Sequence, residues 1–467
     1  MAAIYGFRRV ERRNDVNSSE KTHKKRRKLM VFGIIILLLL VNVFPFVVFR
    51  ILLKWKLNTR IKAIRAANYP VTCKELDAWY SIPDDVENAA DTFFDAFACF
   101  EKWDETRCES LPLVGLADLP KRTEPLSDDT RTLLTEYVND HNETIALLHT
   151  AVKIEHCRYP FDFAAGFGGE CPHFADLRWA CFLLNLESFL HVENDEEEAA
   201  RRSVLSGFGL TLSLTKEPSL ISQLVRMGLT SRNISTLEHL INRIELTDEQ
   251  LGELFQCLDK VEREADLSCA IVGERCTVLS YYTAPSFDPA PFDIVLPRSS
   301  CILYKTVGLV DLNAIVYLDL MSDYMEAIRL PYPQCLEVSD AINAKIESMS
   351  NIHMLVREMM SALSRVITIE TITIAHLRTA RVGLAVLRYR LVSGTLPDSL
   401  KELVPAYIDA VPVDPFDGNA LRYKKRGTGF VIYSIGEDFS DDGGTEKPKY
   451  EERKKHPNWD VTFIVER

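Results

Sequence analysis

Catalytic signatures are what this sequence most lacks. It has no Gly-x-Ser-x-Gly elbow, no Walker loop, no His-Glu-x-x-His and no complete Gly-x-Gly-x-x-Gly, which argues against the commonest hydrolase and nucleotide chemistries. It has no internal repeat of fixed period, so a solenoid has no support. Strand signals are missing until the last fifty residues or so, and cysteine stops at Cys335. The opening 60 residues are nearly free of acid, with 14 Lys and Arg against 3 Asp and Glu.

That imbalance divides the chain electrostatically. The first 60 residues carry +11 of an overall −12, which leaves −23 for the rest. An acidic body of that size repels nucleic acid. With 467 residues and 47% hydrophobic content the chain can bury one large or two ordinary cores, and it is neither disordered nor fibrous.

From Leu29 to Phe49 no residue is charged. As a helix this run spans roughly the ~30 Å hydrocarbon core of a bilayer. It is too long for a secretory signal and no small-x-small cleavage pattern follows it. Ten cations precede it (Arg8, Arg9, Arg12, Arg13, Lys21, Lys24, Lys25, Arg26, Arg27, Lys28) and six follow (Arg50, Lys54, Lys56, Arg60, Lys62, Arg65). The excess predicts a single-pass protein of the inner (cytoplasmic) membrane, with a cytoplasmic N-terminus and an extracytoplasmic body. The cations after the run can lie against anionic headgroups. Outside the membrane the eleven cysteines can pair, and their odd number leaves at least one over.

The body reads as helical. Thr72-Cys-Lys-Glu75 and Thr247-Asp-Glu-Gln250 are capping boxes that open runs with apolar residues three and four apart. Similar patterns predict helices near 85–103, 126–156, 174–192, 197–215, 219–243, 306–328 and 350–393. The four prolines between Tyr281 and Pro297 mark a loop. Short strands are expected at 420–423, 429–434 and 461–465. The expected fold is therefore mainly α, with a basic tail (1–28), a transmembrane helix (29–49), a helical extracytoplasmic body (50–350), and a long helix with a small α+β domain and short antiparallel sheet (351–467).

Within the body, Cys157, Cys171-Pro-His173 and Cys181 offer thiolate and imidazole, the ligands zinc selects, but their spacing matches no standard pair. The plainer reading is a disulfide plus buried thiols around the loop Gly166-Phe-Gly-Gly169. Ser213-Leu-Thr-Lys216 matches the Ser-x-x-Lys of penicillin-interacting enzymes, and Ser231-Arg-Asn233 their second motif faintly, but no Lys-Thr-Gly follows. The histidines His141, His149, His156, His173, His191, His239, His353 and His376 are scattered, so no catalytic residue is nominated.

Chemistry concentrates at the end of the chain. A helix through Leu384, Leu387, Tyr389 and Leu391 stops at Gly394, and Pro397 opens a short helix closed by Pro405. Asp438, Asp441, Asp442 and Asp460 then stand around Gly436, Gly443 and Gly444. They are hard oxygen donors in a loop able to wrap a cation, and calcium is the candidate. An exposed acidic turn is the plain alternative.

The series Gly394-x-Leu-Pro, Leu400-x-x-Leu-Val-Pro, Val413-Asp-Pro-Phe, Tyr433-Ser-Ile-Gly-x-Asp, Gly443-Gly and Asp460-Val resembles the C-terminal domain of the major pseudopilin (protein G) of type II secretion systems, over roughly residues 378–467. That resemblance implies calcium on Asp438 and Asp460, with Asp441 or Asp442 beside them. The departures are that Arg8, Arg9, Arg12 and Arg13 flank Gly6-Phe7 and Glu11 where apolar residues belong, that Phe439 and Asp417 break the loop patterns, and that Thr445–Asn458 is a basic insertion. The segments at 63–72 and 87–90, with the basic tail and the ending, are also similar to single-pass bacterial envelope proteins, a likeness that carries no activity. The expected function is a membrane-anchored envelope scaffold or interaction protein, which the pseudopilin resemblance would connect with secretion, meeting the membrane and other envelope proteins but no nucleic acid. A membrane-tethered hydrolase with its site in the helical body is the alternative.

Overall fold

The apolar run lies inside one continuous helix, α1 (Ala2–Ala66). The structure is a computed structural model that describes all residues except 1, 102, 116, 118, 169–170, 291–293 and 449–457. Of residues 2–23, 39, 42, 105, 106, 164, 167, 168 and 361 it describes the backbone alone. Most of the basic insertion therefore lies outside the described residues.

Every described large apolar side chain from Leu29 to Phe49 is exposed, which in water forfeits about 25 cal/mol for each Å² left unburied. Among the described residues α1 is the one unbroken helix long and apolar enough to cross a membrane. Past Arg50 its character changes. Leu53, Leu57, Ile61 and Ile64, spaced three or four apart, pack into the body.

The body continues through α2 (Cys73–Trp79), α3 (Ala89–Ala98), α4 (Glu105–Glu109), α5 (Asp128–Asp140), α6 (Asn142–Ala151), α7 (His173–Glu193), α8 (Glu197–Leu212), α9 (Leu220–Arg243), α10 (Asp248–Arg263), α11 (Ser268–Thr283), α12 (Arg298–Val307), α13 (Leu309–Ala327), α14 (Gln334–Glu347) and α15 (Met354–Ser393). Thr247 and Gln250 form both halves of their capping box. At Thr72 only half forms, because the Glu75 carboxylate accepts instead from the Val71 N–H at 2.9 Å and from Arg65 at 2.7 Å.

The helix expected over 126–156 is two. The backbone leaves helical geometry at His141 (φ −107°, ψ 18°), where the ring bonds the Tyr137 carbonyl at 2.7 Å and the Glu101 carbonyl at 2.9 Å. α4, α11, α12 and α14 lie outside the expected helices. α11 is buried nearly all round, so it shows no amphipathic stripe. The proline-rich loop begins only after Thr283, at the end of α11.

Three apolar clusters organise the body. The first gathers the end of α1 with α11, α13, α14 and the first half of α15. The second joins α8, α9, α10, the second half of α15 and the sheet. The third packs α3, α5, α6 and α7. The sheet β1 (Arg422–Arg426), β2 (Gly429–Ser434), β3 (Val461–Val465) is antiparallel, with Tyr423 opposite Ile432 and Ile432 opposite Phe463. These are the three expected strands, shifted at β1 by two or three residues.

The outer edge of β3 is not left open. Asn242 on α9 donates to the Ile464 carbonyl at 2.9 Å and accepts from the Glu466 N–H at 2.8 Å, while Glu238 accepts from the Ile464 N–H at 2.5 Å. Side chains thus do for this edge what a fourth strand would do. The opposite edge, β1, is guarded by exposed Lys424, Lys425 and Arg426.

Arg226 on α9 and Glu370 on α15 form an ion pair with no more than 3% of either side chain exposed, Nη2 lying 2.7 Å and 2.8 Å from the two carboxylate oxygens. Removing one partner strands a buried charge. Glu370→Ala should therefore destabilise by about 3–5 kcal/mol, and the double variant Arg226→Met with Glu370→Leu should recover most of it. Denaturant titration of the full chain in nanodiscs checks this; equal losses in single and double variants would contradict it.

Candidate functional site

Three places carry enough chemistry to weigh. The first is a cavity of ≈ 640 Å³ within the third cluster. Its walls come from Phe97 on α3, Phe100 and Trp103 on the following loop, Tyr137 on α5, Trp179 on α7 and Thr144 on α6. Their rings are fixed from behind. His141 lies 4.6 Å from the Phe100 ring and 4.4 Å from the Tyr137 ring, Trp103 donates Nε1–H to Asp140 at 3.1 Å, and Arg107 covers the other Trp103 face at 3.7 Å. Arg107 is in turn held by Glu136 at 3.0 Å.

One polar atom inside that apolar wall has nothing to bond. Thr144 is 1% exposed and its Oγ1 has no hydrogen-bond partner among the described residues, a state that costs roughly 1–3 kcal/mol unless a ligand or water satisfies it. Asp176 and Glu109 stand at the same cavity. Apolar walls with a few convergent polar groups are the ordinary makeup of a small-molecule site. The sequence held a signal for it in the dense run Phe93, Phe94, Phe97, Phe100 and Trp103, which the search for catalytic motifs passed over.

The second place is a cleft of ≈ 810 Å³ bordered by Tyr80, His156, Cys157, Ser213 and Lys216. Behind it Tyr159 meets Ser213 (O···O 3.0 Å) and stacks on His173 at 4.6 Å. His173 Nε2 faces Glu217 at 3.1 Å, and Ser222 donates to that carboxylate at 2.7 Å. This brings Ser213 of the Ser-x-x-Lys tetrad near titratable groups. The Ser213 hydroxyl, however, donates to the Leu210 carbonyl at 2.7 Å, and burial pushes the Cys157 thiol up to about 12. Neither is an activated nucleophile.

The zinc set is not assembled. His173 is turned to Glu217, and the Cys181 sulfur lies 3.3 Å from Asn233 Oδ1. Among the described residues no three His, Cys, Asp or Glu side chains are grouped to hold a metal. All eleven cysteines are described and none is bonded to another.

The third place is the aspartate loop. Asp460, 1% exposed, accepts from the N–H groups of Asp442 (3.3 Å), Gly444 (2.7 Å) and Thr445 (3.2 Å). Burial raises its pKa against those bonds, with the Asp442 charge adding to the rise. Asp438 accepts from the Ser440 N–H and Asp441 from the Gly443 N–H, with Arg422 3.5 Å from Asp441. Three of the four carboxylates thus serve their own loop. Among the described residues Asp442 Oδ2 is the one oxygen of the four carboxylates that is buried without a partner. Asp414, not singled out as a ligand, is fully buried and accepts from Phe416 N–H, Ser434 Oγ, Ile435 N–H and Arg422.

A serine, histidine and glutamate also line up between α6, α7 and α8. His149 Nδ1 lies 2.7 Å from Ser206 Oγ and its Nε2 3.1 Å from Glu187, which His191 approaches at 3.5 Å. Ser206 sits mid-helix, 5% exposed, and borders neither cavity, so this chain of bonds fastens three helices. Burial works to raise the Glu187 pKa, but hydrogen bonds from His149 and His191 outweigh it and hold it near about 2. His191 is raised, first by its bond to Glu187.

No protein-family model, curated protein or solved structure matches this chain.

The linkage has a definite sign. A raised histidine adds stability that is complete below its ordinary 6.5 and is lost as pH rises through its folded value. The melting temperature should fall on going from pH 6 to pH 9, and His191→Gln should flatten that fall. Parallel slopes in thermal melts of the two proteins would contradict the assignment.

Proposed function

We propose that this chain is a membrane-anchored binding protein of the cell envelope. In this reading α1 crosses the inner membrane with its basic end in the cytoplasm, and the helical body stands on the far side. The aromatic cavity of the third cluster then takes an apolar ligand or an apolar side chain of a partner protein. The unpartnered hydroxyl of Thr144 among five aromatic rings carries the proposal, because a buried donor left over in a roomy site asks for an acceptor. The long helix, short 3-10 turn at Leu400–Leu403 and three-stranded sheet support a pseudopilin-like docking role for the C-terminal part.

Ala175 is exposed at the cavity, so Ala175→Trp should fill it without disturbing the core. A fluorinated naphthalene probe, followed by ¹⁹F saturation-transfer NMR on the full chain in nanodiscs with empty discs as blank, should bind roughly tenfold more weakly to the variant, about 1.4 kcal/mol. Unchanged binding, or none to either protein, rejects the cavity as the site.

Calcium on the aspartate loop is a second reading, favoured by Asp442 Oδ2, the one buried carboxylate oxygen there without a partner. Asp442, Asp460, Asp438 and Asp441 would supply the oxygens, the last three sharing theirs with the backbone N–H groups they already accept from. Millimolar calcium should raise the melting temperature, and Asp442→Asn, which removes no observed side-chain hydrogen bond, should abolish the rise. The absence of a shift in the parent protein ends this reading.

A further inference from the structure

We propose that α12 and residues 294–297 before it lie on the bilayer surface, with Ile302, Leu303 and Val295 in the boundary between headgroups and acyl chains. The proposal rests on the reading of α1 as a membrane anchor. Two ion pairs fix the geometry. Arg50 meets Asp311 at 2.7 Å and Arg60 meets Asp319 at 2.6 Å. Both chains advance between these contacts, so α13 runs alongside α1 in the same direction, and its first turn stands level with Arg50. Arg50 is also where the uncharged run ends.

Gly308 then turns the chain. Its φ of +91° is the left-handed region that favours glycine, and a Cβ there would lie 2.3 Å from Arg50 Nη1. α12 meets α13 at a bend of 72°. Membrane-spanning helices tilt by only ~20° on average, so α12 lies near the membrane plane at the height where hydrocarbon gives way to headgroups.

The faces of α12 are sorted accordingly. Cys301 is buried, Tyr304 packs into the first cluster, and Lys305 Nζ donates to the Ala284 and Pro285 carbonyls at the end of α11. All of these point to the body, which extends from Arg50 along the direction of α13. The opposite face carries Ile302 (65% exposed) and Leu303 (58%), and Val295 before the helix is 91% exposed. On α1 the exposed apolar surface runs on past Arg50 through Ile51, Leu52 and Trp55. Tryptophan flanked on α1 by Lys54 and Lys56, with Arg298 at the start of α12, is the usual dress of a membrane interface, the ring at headgroup level and the charges on lipid phosphates. An amphipathic helix lying in that plane buries its apolar side by several ångströms.

The test uses the full chain in liposomes of phosphatidylethanolamine and phosphatidylglycerol, with benzoylphenylalanine placed in turn at 303, at 40 within the apolar run, and at 249 on the exposed start of α10. Lipid adducts are counted by mass spectrometry after illumination. Docking predicts adducts at 40 and 303, with 303 at least fivefold above 249. A paired Ile302→Asp and Leu303→Asp variant should cut adducts from a probe at 295 by threefold or more; since both side chains are exposed, the fold is untouched. Adducts at 40 alone overturn the docking and leave the anchor standing. Adducts at neither 40 nor 303 overturn both, and labelling at 303 no greater than at 249 overturns the docking.

Discussion

The Arg226 to Glu370 pair is the contact on which the rest of the body depends. α9 gives Met227 to the first apolar cluster, Leu229 to the third, and Ile234 and Leu237 to the second, while α15 passes from the first cluster into the second near Ile374. The ion pair sits where these helices cross, with Gln223 accepting from Arg226 Nε at 2.6 Å. A buried guanidinium tolerates few positions for its partner, so the crossing has one register. A hydrophobic pair of equal volume could hold the helices as firmly, without the directional bonds that the guanidinium and carboxylate make.

The C-terminal aspartates follow the same logic at smaller scale. Asp414 and Asp460 are each surrounded by backbone N–H groups, a pattern by which a carboxylate orders a turn without a metal. Asp414 ties the Val-Asp-Pro-Phe turn to the end of β2 through Ser434 and Ile435. Here the motif that carries the pseudopilin resemblance has a clear internal use. Gly383 adds the close fit, since a Cβ on it would meet the Phe463 ring at 2.4 Å. α15 and the sheet are thereby pressed together.

Much of this was legible in the chain. The exposed apolar run, the Thr247 capping box, Gly394 at the end of α15 and the three strands follow from local rules, because each is decided by residues within one or two turns of one another. α11 was illegible because burial on all sides erases the periodicity that marks a helix. The split at His141 depends on a carbonyl forty residues away. The cavity is harder still. Its aromatic residues are visible as a cluster, but that they surround a void, and that Thr144 borders it, are properties of packing between four helices.

The sewing of β3 to α9 bears on the order in which the molecule comes into being. Asn242 and Glu238 wait for partners 222 to 226 residues further along the chain. Until those partners arrive, the second cluster lacks Phe463 and Val465 and the side of β2 that pairs with β3 is bare. In the proposed reading of α1 as an anchor, that helix would enter the bilayer while the chain is still growing, and the body would close only when its last strand emerges. Contacts of such separation form slowly and leave apolar surface open meanwhile. Closure of the second cluster is thus timed by the tail of the chain.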